Sequence, residues 1–146
     1  MKNILVALEL KGDTTRVLQS AKELAQAVGA KMWLLHVAAP EPDFGGYEGP
    51  QYIRDERAGI LKEEHAQLHE MAQALASESL DIQPVMVMGP TTETILNEAG
   101  RIKADLIVMG THGRRGLAKA FLGSTSDDVL RANRYPVLVV PTHVHP

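Results

Sequence analysis

The chain contains no cysteine. Disulfides, thiolate metal sites and cysteine nucleophiles are therefore excluded. It also lacks any apolar run near the ~20 residues that a membrane-spanning helix needs. There is no basic stripe or basic tail, and the formal net charge is −3. Composition thus speaks against nucleic acid or a membrane surface as the partner. The opening Met1-Lys-Asn-Ile-Leu-Val-Ala-Leu8 has too short an apolar run for a signal peptide, and no small-residue cleavage site follows it. A first strand and a cytoplasmic location are the expectation. Two familiar phosphate patterns are missing as well. There is no Gly-x-x-x-x-Gly-Lys-Ser/Thr, and no Gly-x-Gly-x-x-Gly follows the first apolar run. No nucleophile–base pair, carboxylate pair or triad stands out, so no catalytic residue is assigned.

What is present is a chain of 146 residues, 45% hydrophobic and 23% charged. That suits one domain spanning 1–146 with a substantial core. Ile4-Leu-Val-Ala-Leu8 is a continuous apolar run, as in a strand covered on both faces. Asp13 or Thr14 is placed to cap a helix. Its stripe is Val17, Leu18, Ala21, Leu24, Ala25 and Val28, and Gly29 ends it. Lys31 to Val37 forms the second strand. Ala38 to Gln51, rich in proline and glycine, is a long loop of the kind that is functional or mobile. From Tyr52 or Ile53 to Ser79 the pattern is helical, with Ile60, Leu61, Leu68, Met71, Leu75 and Ala76 inward. Gln83 to Met88 is a third strand, with Pro84 at its beginning. Thr91 or Thr92 caps a short helix reaching about Ile102. Asp105 to Met109 is the driest strand. Ser124 to Asn133 is a last helix, with Val129 and Leu130 inward, and Val137 to Val140 a fifth strand.

Strands thus alternate with helices. The pattern predicts an α/β fold, a single doubly wound Rossmann-like domain with a parallel sheet and helices on both faces. In such sheets ligands sit at the carboxyl ends of the strands, where the strand order reverses. With the five strands in the order 3-2-1-4-5, the first and fourth flank that crevice. Their ends carry Leu8-Glu9 and Met109-Gly110.

A glycine-rich stretch leaves the fourth strand. Gly110, Gly113 and Gly116 are followed by Gly123-Ser124 and a helical pattern. Glycines let backbone N–H groups approach a ligand closely. A helix N-terminus offers free N–H groups and a positive dipole end to phosphate. Arg114, Arg115 and Lys119 offer cationic partners, although they can equally face solvent. Asp127 and Asp128 favour the helix dipole but repel phosphate, unless a Mg²⁺ or Mn²⁺ bridges or they point away. His112 can donate to phosphate or face solvent. His36, ending an apolar strand, reads as a satisfied buried histidine. His65 and His69 stand at i, i+4, yet no third metal ligand is evident.

The spacing Gly110-x2-Gly113-x9-Gly123-Ser124 resembles that of the universal stress protein family, in its ATP-binding members. The likeness extends over nearly the whole chain. It includes Lys2-Asn-Ile-Leu-Val-Ala7, Gly29 to Val37, Ala104-Asp-Leu-Ile-Val-Met-Gly-Thr-His-Gly113, Leu122-Gly-Ser124 and Tyr135-Pro-Val-Leu-Val-Val140. The resemblance implies a five-stranded doubly wound domain, a bound adenine nucleotide (ATP, or AMP or ADP) and a homodimer. By position, the backbones of Gly110, Gly113 and Gly123, with Ser124 and Thr125, would hold the phosphates. Ala7, Val37 and Met109 would wall the adenine and ribose. Glu9 stands where the family usually has Asp. His112 and Arg114 complete the expected nucleotide-binding set. The last strand is a sheet edge in the predicted order. Pairing of Val137, Leu138, Val139 and Val140 with the same strand of a second chain would remove that edge. The competing readings are a weak ATP hydrolase and a ligand-free interaction domain.

Overall fold

The computed structural model describes residues 1–38, 51–77, 79–111 and 124–142, with the side chains of 51–55 excepted. The elements run β1 (Asn3–Ala7), α1 (Thr15–Val28), β2 (Lys31–Ala38), α2 (Gln51–Leu75), β3 (Ile82–Met88), α3 (Thr91–Arg101), β4 (Leu106–Gly110), α4 (Ser124–Ala132) and β5 (Val137–Val140). The five strands form one sheet in the order β3-β2-β1-β4-β5. Every described pairing is parallel. The doubly wound Rossmann-like arrangement expected from the alternation is the one found. None of the described helices is long and apolar enough to cross a membrane.

The strands read as unbroken apolar runs because both faces of the sheet are covered. Ile4, Val6, Leu34 and Val108 pack on one face with Val17 and Ala21 of α1 and Leu68 and Ala72 of α2. Leu5, Leu35, Ile107 and Met109 pack on the other with Ile95 and Ala99 of α3 and Val129 of α4. Ile4, Leu5, Leu34, Leu35 and Ile107 are almost entirely out of water. Each such side chain contributes about 1.5–3 kcal/mol by burial.

The helix boundaries depart from expectation in small, explicable ways. In α1 the capping oxygen belongs to Asp13, whose Oδ1 accepts the Thr15 N–H at 2.9 Å. Thr14 occupies the cap position but makes no side-chain cap bond. Gly29 ends the helix at φ 70°, and its N–H donates to Ala25 O. Val28, expected inward, is exposed in the last turn, next to the Gly29 cap. α2 stops at Leu75, four residues before Ser79, and Ser77 forms an isolated bridge with Leu80 instead. Its buried residues are Leu68 and Ala72, with Met71 and Leu75 packed half-buried against the same core, whereas Ile60 and Ala76, expected inward, are exposed. Neither Thr91 nor Thr92 caps α3: Pro90 precedes it in an extended conformation, and no side chain caps the helix. In α4 the buried residues are Ser126 and Val129, while Leu130 is exposed. Ser126 and Val129 stand three positions apart and so share a face of the helix. The loop expected over Ala38 to Gln51 lies mostly outside the described residues, as does 112–123.

The amino ends of the strands are tied together by polar contacts. The Asp105 carboxylate accepts the N–H groups of Lys2 at 2.7 Å and Asn3 at 2.9 Å. These bonds, Asn3 first, hold its carboxyl below the usual carboxylate range. The Trp33 indole N–H donates to Asn3 Oδ1 at 3.1 Å, and Lys31 Nζ lies 4.2 Å from the centre of the Trp33 ring.

Candidate functional site

At the opposite end, the carboxyl ends of β1 and β4 part where the strand order reverses. A cavity of about 510 Å³ opens there. In a parallel α/β sheet the helices return toward the amino ends, so their N-termini all face the carboxyl ends. Residues at three helix starts consequently line this cavity: Thr14 before α1, Thr91 of α3, and Thr125 with Ser126 of α4. Each start brings N–H groups without intrahelical partners and a positive dipole end to the same space.

Among the sequence-assigned residues, Ala7, Glu9, Val37, Met109, Gly110 and Thr125 all line the cavity. Ala7 and Met109 are register partners on adjacent strands, so their walls meet side by side. Ser124 is the first residue of α4 and is exposed; it is not among the lining residues. His112, Gly113, Arg114 and Gly123 lie outside the described residues.

Gly110 has a packing reason of its own. A Cβ built there would stand 2.7 Å from Thr142 Cγ2 and 3.0 Å from Val17 Cγ2. Both neighbours are β-branched and stiff, so neither yields easily. The end of β4 is also held in place by bonds. The Ser126 hydroxyl, almost fully buried, donates to Gly110 O at 3.0 Å. The Thr111 N–H donates to Val140 O at 2.9 Å. Thr142 N–H donates to Thr111 Oγ1 at 3.1 Å, and the Thr142 hydroxyl to Thr111 O at 2.8 Å. Turn and helix start are thereby fastened to each other and to the chain after β5.

The opposite wall is polar and includes residues that spacing did not single out. Lys11 and Asp13 line it beside Glu9. His36 and Glu64 meet across it, Nε2 to Oε2 at 2.8 Å, and His36 Nδ1 lies 3.3 Å from Leu8 O. His36 was expected to be satisfied and buried, and its ring does have two partners. The role of Glu64 was not legible, because it sits on a mostly solvated helix 28 residues away. His65 and His69 are exposed, with Nε2 atoms 3.1 Å apart. No group of three potential metal ligands occurs among the described residues.

The cavity as a whole can take a small ligand with an apolar planar part against Ala7, Val37 and Met109. Hydroxyl groups would meet Glu9, and an anionic end the helix starts. Comparison with known proteins agrees with this architecture. A universal stress protein A homologue of Coxiella burnetii is 37% identical over 140 residues, covering 95% of this chain and 94% of its own. The solved structure of MJ0577, a universal stress protein of Methanocaldococcus jannaschii, superposes with a TM-score of 0.78 at 24% identity, over 99% of this chain and 98% of its own. A universal stress protein solved in complex with cAMP gives a TM-score of 0.65 at 25% identity, covering 97% and 98%. The universal stress protein family model matches residues 1–141, and the chain therefore belongs to that family.

Proposed function

We propose that this chain is an adenine-nucleotide-binding regulatory protein of the stress response, working as a cytoplasmic homodimer. The observation that carries the reading is the cavity of about 510 Å³ at the reversal of strand order, ringed by three helix starts. That volume lies in the ordinary range for small-molecule sites. Its chemistry is divided as a nucleotide requires: apolar walls on one side, a carboxylate at Glu9, and helix N-termini for phosphate. The related protein solved with cAMP supports the same ligand class. ATP is the ligand proposed, with AMP or ADP as alternatives. Gly110, Gly113, Gly123, Ser124 and Thr125, with His112 and Arg114, are proposed to hold the phosphates. Mg²⁺ or Mn²⁺ would screen Asp127 and Asp128 from the triphosphate.

The dimer is proposed to form through β5. Its outer edge has no strand partner among the described residues, and Leu138 is 38% exposed. An apolar edge of this kind calls for pairing or cover.

The deciding experiment is extraction of the purified protein. Heat-released supernatant should contain adenine nucleotide, and calorimetry on the stripped protein should show one ATP site per chain. A blank extract and no binding of ATP, ADP or AMP would reject the nucleotide reading. Light scattering that returns a monomer at micromolar concentration would reject the dimer.

A further inference from the structure

At the cavity wall the His36 ring of β2 lies between two partners, the Glu64 carboxylate of α2 on Nε2 and the carbonyl of Leu8, the residue after β1, on Nδ1. The His36–Glu64 pair is mostly shielded, with side-chain exposures of 12% and 22%. What distinguishes it is the nature of the partners. A carbonyl oxygen only accepts, so the bond to Leu8 requires a proton on Nδ1. An ionised carboxylate also only accepts, so the bond to Glu64 requires a proton on Nε2. A neutral ring holds one proton and can satisfy one partner, leaving a nitrogen lone pair against an oxygen.

We propose that His36 and Glu64 are positioning residues for the proposed nucleotide site, acting as a proton-bearing bridge. As an imidazolium, His36 holds Glu64 of α2 and the Leu8–Glu9 rim at once. Loss of a proton keeps the shorter bond, Nε2–H to Glu64, and turns the Nδ1 lone pair onto Leu8 O. The rim then shifts, and with it Glu9, which is the next residue. This inference rests on the nucleotide reading for its consequence, but the bridge itself does not.

The surroundings leave the ring with this choice. From the segment joining β1 and α1, the groups Glu9, Lys11 and Asp13 share the cavity with it. From α2 the charged group in the cavity is Glu64. The register neighbour on β3 is Met86, which does not titrate. α3 and α4 contribute Thr91, Thr125 and Ser126, all uncharged.

The variant that separates bridge from mere contact is Glu64→Gln. Its amide N–H₂ can donate to Nε2 of a neutral ring, leaving Nδ1–H for Leu8 O. Both bonds then form without the extra proton. In the nucleotide-free wild type, nitrogen NMR of the ring through a pH series should show a state with both His36 nitrogens protonated and both bonds made. In Glu64→Gln the ring should hold one proton, on Nδ1. Amide exchange at Leu8 and Glu9 should quicken in the wild type beyond the intrinsic rise over the pH range in which the ring's nitrogen spectrum loses its second proton, and not in Glu64→Gln. AMP and ATP affinity should fall roughly three- to tenfold over that range in the wild type, the loss of about one hydrogen bond. In Glu64→Gln it should stay flat, whatever its absolute value. A wild-type His36 that makes both bonds while never carrying two protons overturns the bridge. Identical pH profiles of affinity in the two proteins overturn its coupling to the site. If neither protein binds nucleotide at any pH, the proposed function fails, and ring state and amide exchange still decide the bridge.

Discussion

The two ends of the sheet are built from the same strands and finished in opposite ways. At the amino end, polar side chains are spent on the protein itself. Asp105 accepts two backbone N–H groups, Asn3 accepts from Trp33, and Lys31 covers the indole ring. At the carboxyl end, β1 and β4 part, and a cavity of about 510 Å³ separates polar groups that have room for a ligand. The difference follows from the handedness and direction of parallel crossovers. The helix starts fall at one end, and there N–H groups without intrahelical partners and positive dipole ends converge. One end is closed on the protein's own groups and the other is open to a ligand, so substitutions should sort by end.

The largest expected effect is at the closed end. Trp33→Ala removes a half-buried indole, its bond to Asn3 and the Lys31 contact, and should cost about 3 kcal/mol in urea unfolding. Nucleotide affinity of the folded protein should not change. A large loss of affinity would show that the two ends are coupled.

Next comes the place where the division should break. Gly110→Ala puts a methyl group 2.7 Å from Thr142 Cγ2. It should cost about 1–3 kcal/mol by overpacking and weaken binding as well, since Gly110 also lines the cavity. Full stability in this variant would mean that Thr142 and Val17 give way without strain.

At the open end alone, Glu9→Ala should leave the unfolding midpoint within the spread of surface substitutions, about 0.5 kcal/mol. It should weaken ATP binding about tenfold, the value of a hydrogen bond to a charged acceptor. Unchanged affinity by calorimetry would remove Glu9 from the site.

The smallest effect concerns acid stability. The carboxyl of Asp105 sits below its ordinary value of 3.8 in the folded chain, through the Asn3 and Lys2 N–H groups. Its contribution is present in full above the unfolded value. It is lost as pH falls through the folded one. Asp105→Asn should flatten the stability curve below about pH 4, where the wild-type carboxyl protonates. Affinity near neutrality should stay as it was. An equal acid slope in the two proteins would show that the bonds at Lys2 and Asn3 do not persist in solution.

Much of this was legible from residue order. Apolar runs at Ile4–Leu8 and Leu106–Met109 identify strands covered twice, and no strand of that kind survives without helices on both faces. Glycines at Gly29 and Gly110 mark a helix end and a strand exit. Less legible were the ends and faces of helices. Val28 and Leu130 satisfy a helical stripe, yet stand exposed. Ile60 is exposed as well, on the long helix α2. Periodicity tells which residues share a face, and not how far the opposing surface extends.

For the candidate site the division is similar. Sequence alone determined that Glu9, just past β1, and Gly110, at the end of β4, would stand at the sheet's point of reversal. Alternating elements and right-handed crossovers leave few other arrangements. Only the tertiary structure decided which distant groups complete it. Ser126 reaches Gly110 across 16 residues, Thr111 meets Thr142 across 31, and His36 meets Glu64 across 28. Those meetings depend on strand register and on the rotation of α2 and α4 about their axes. Both are set by how whole faces pack, and a local run of residues carries no record of the surface that will be laid against it.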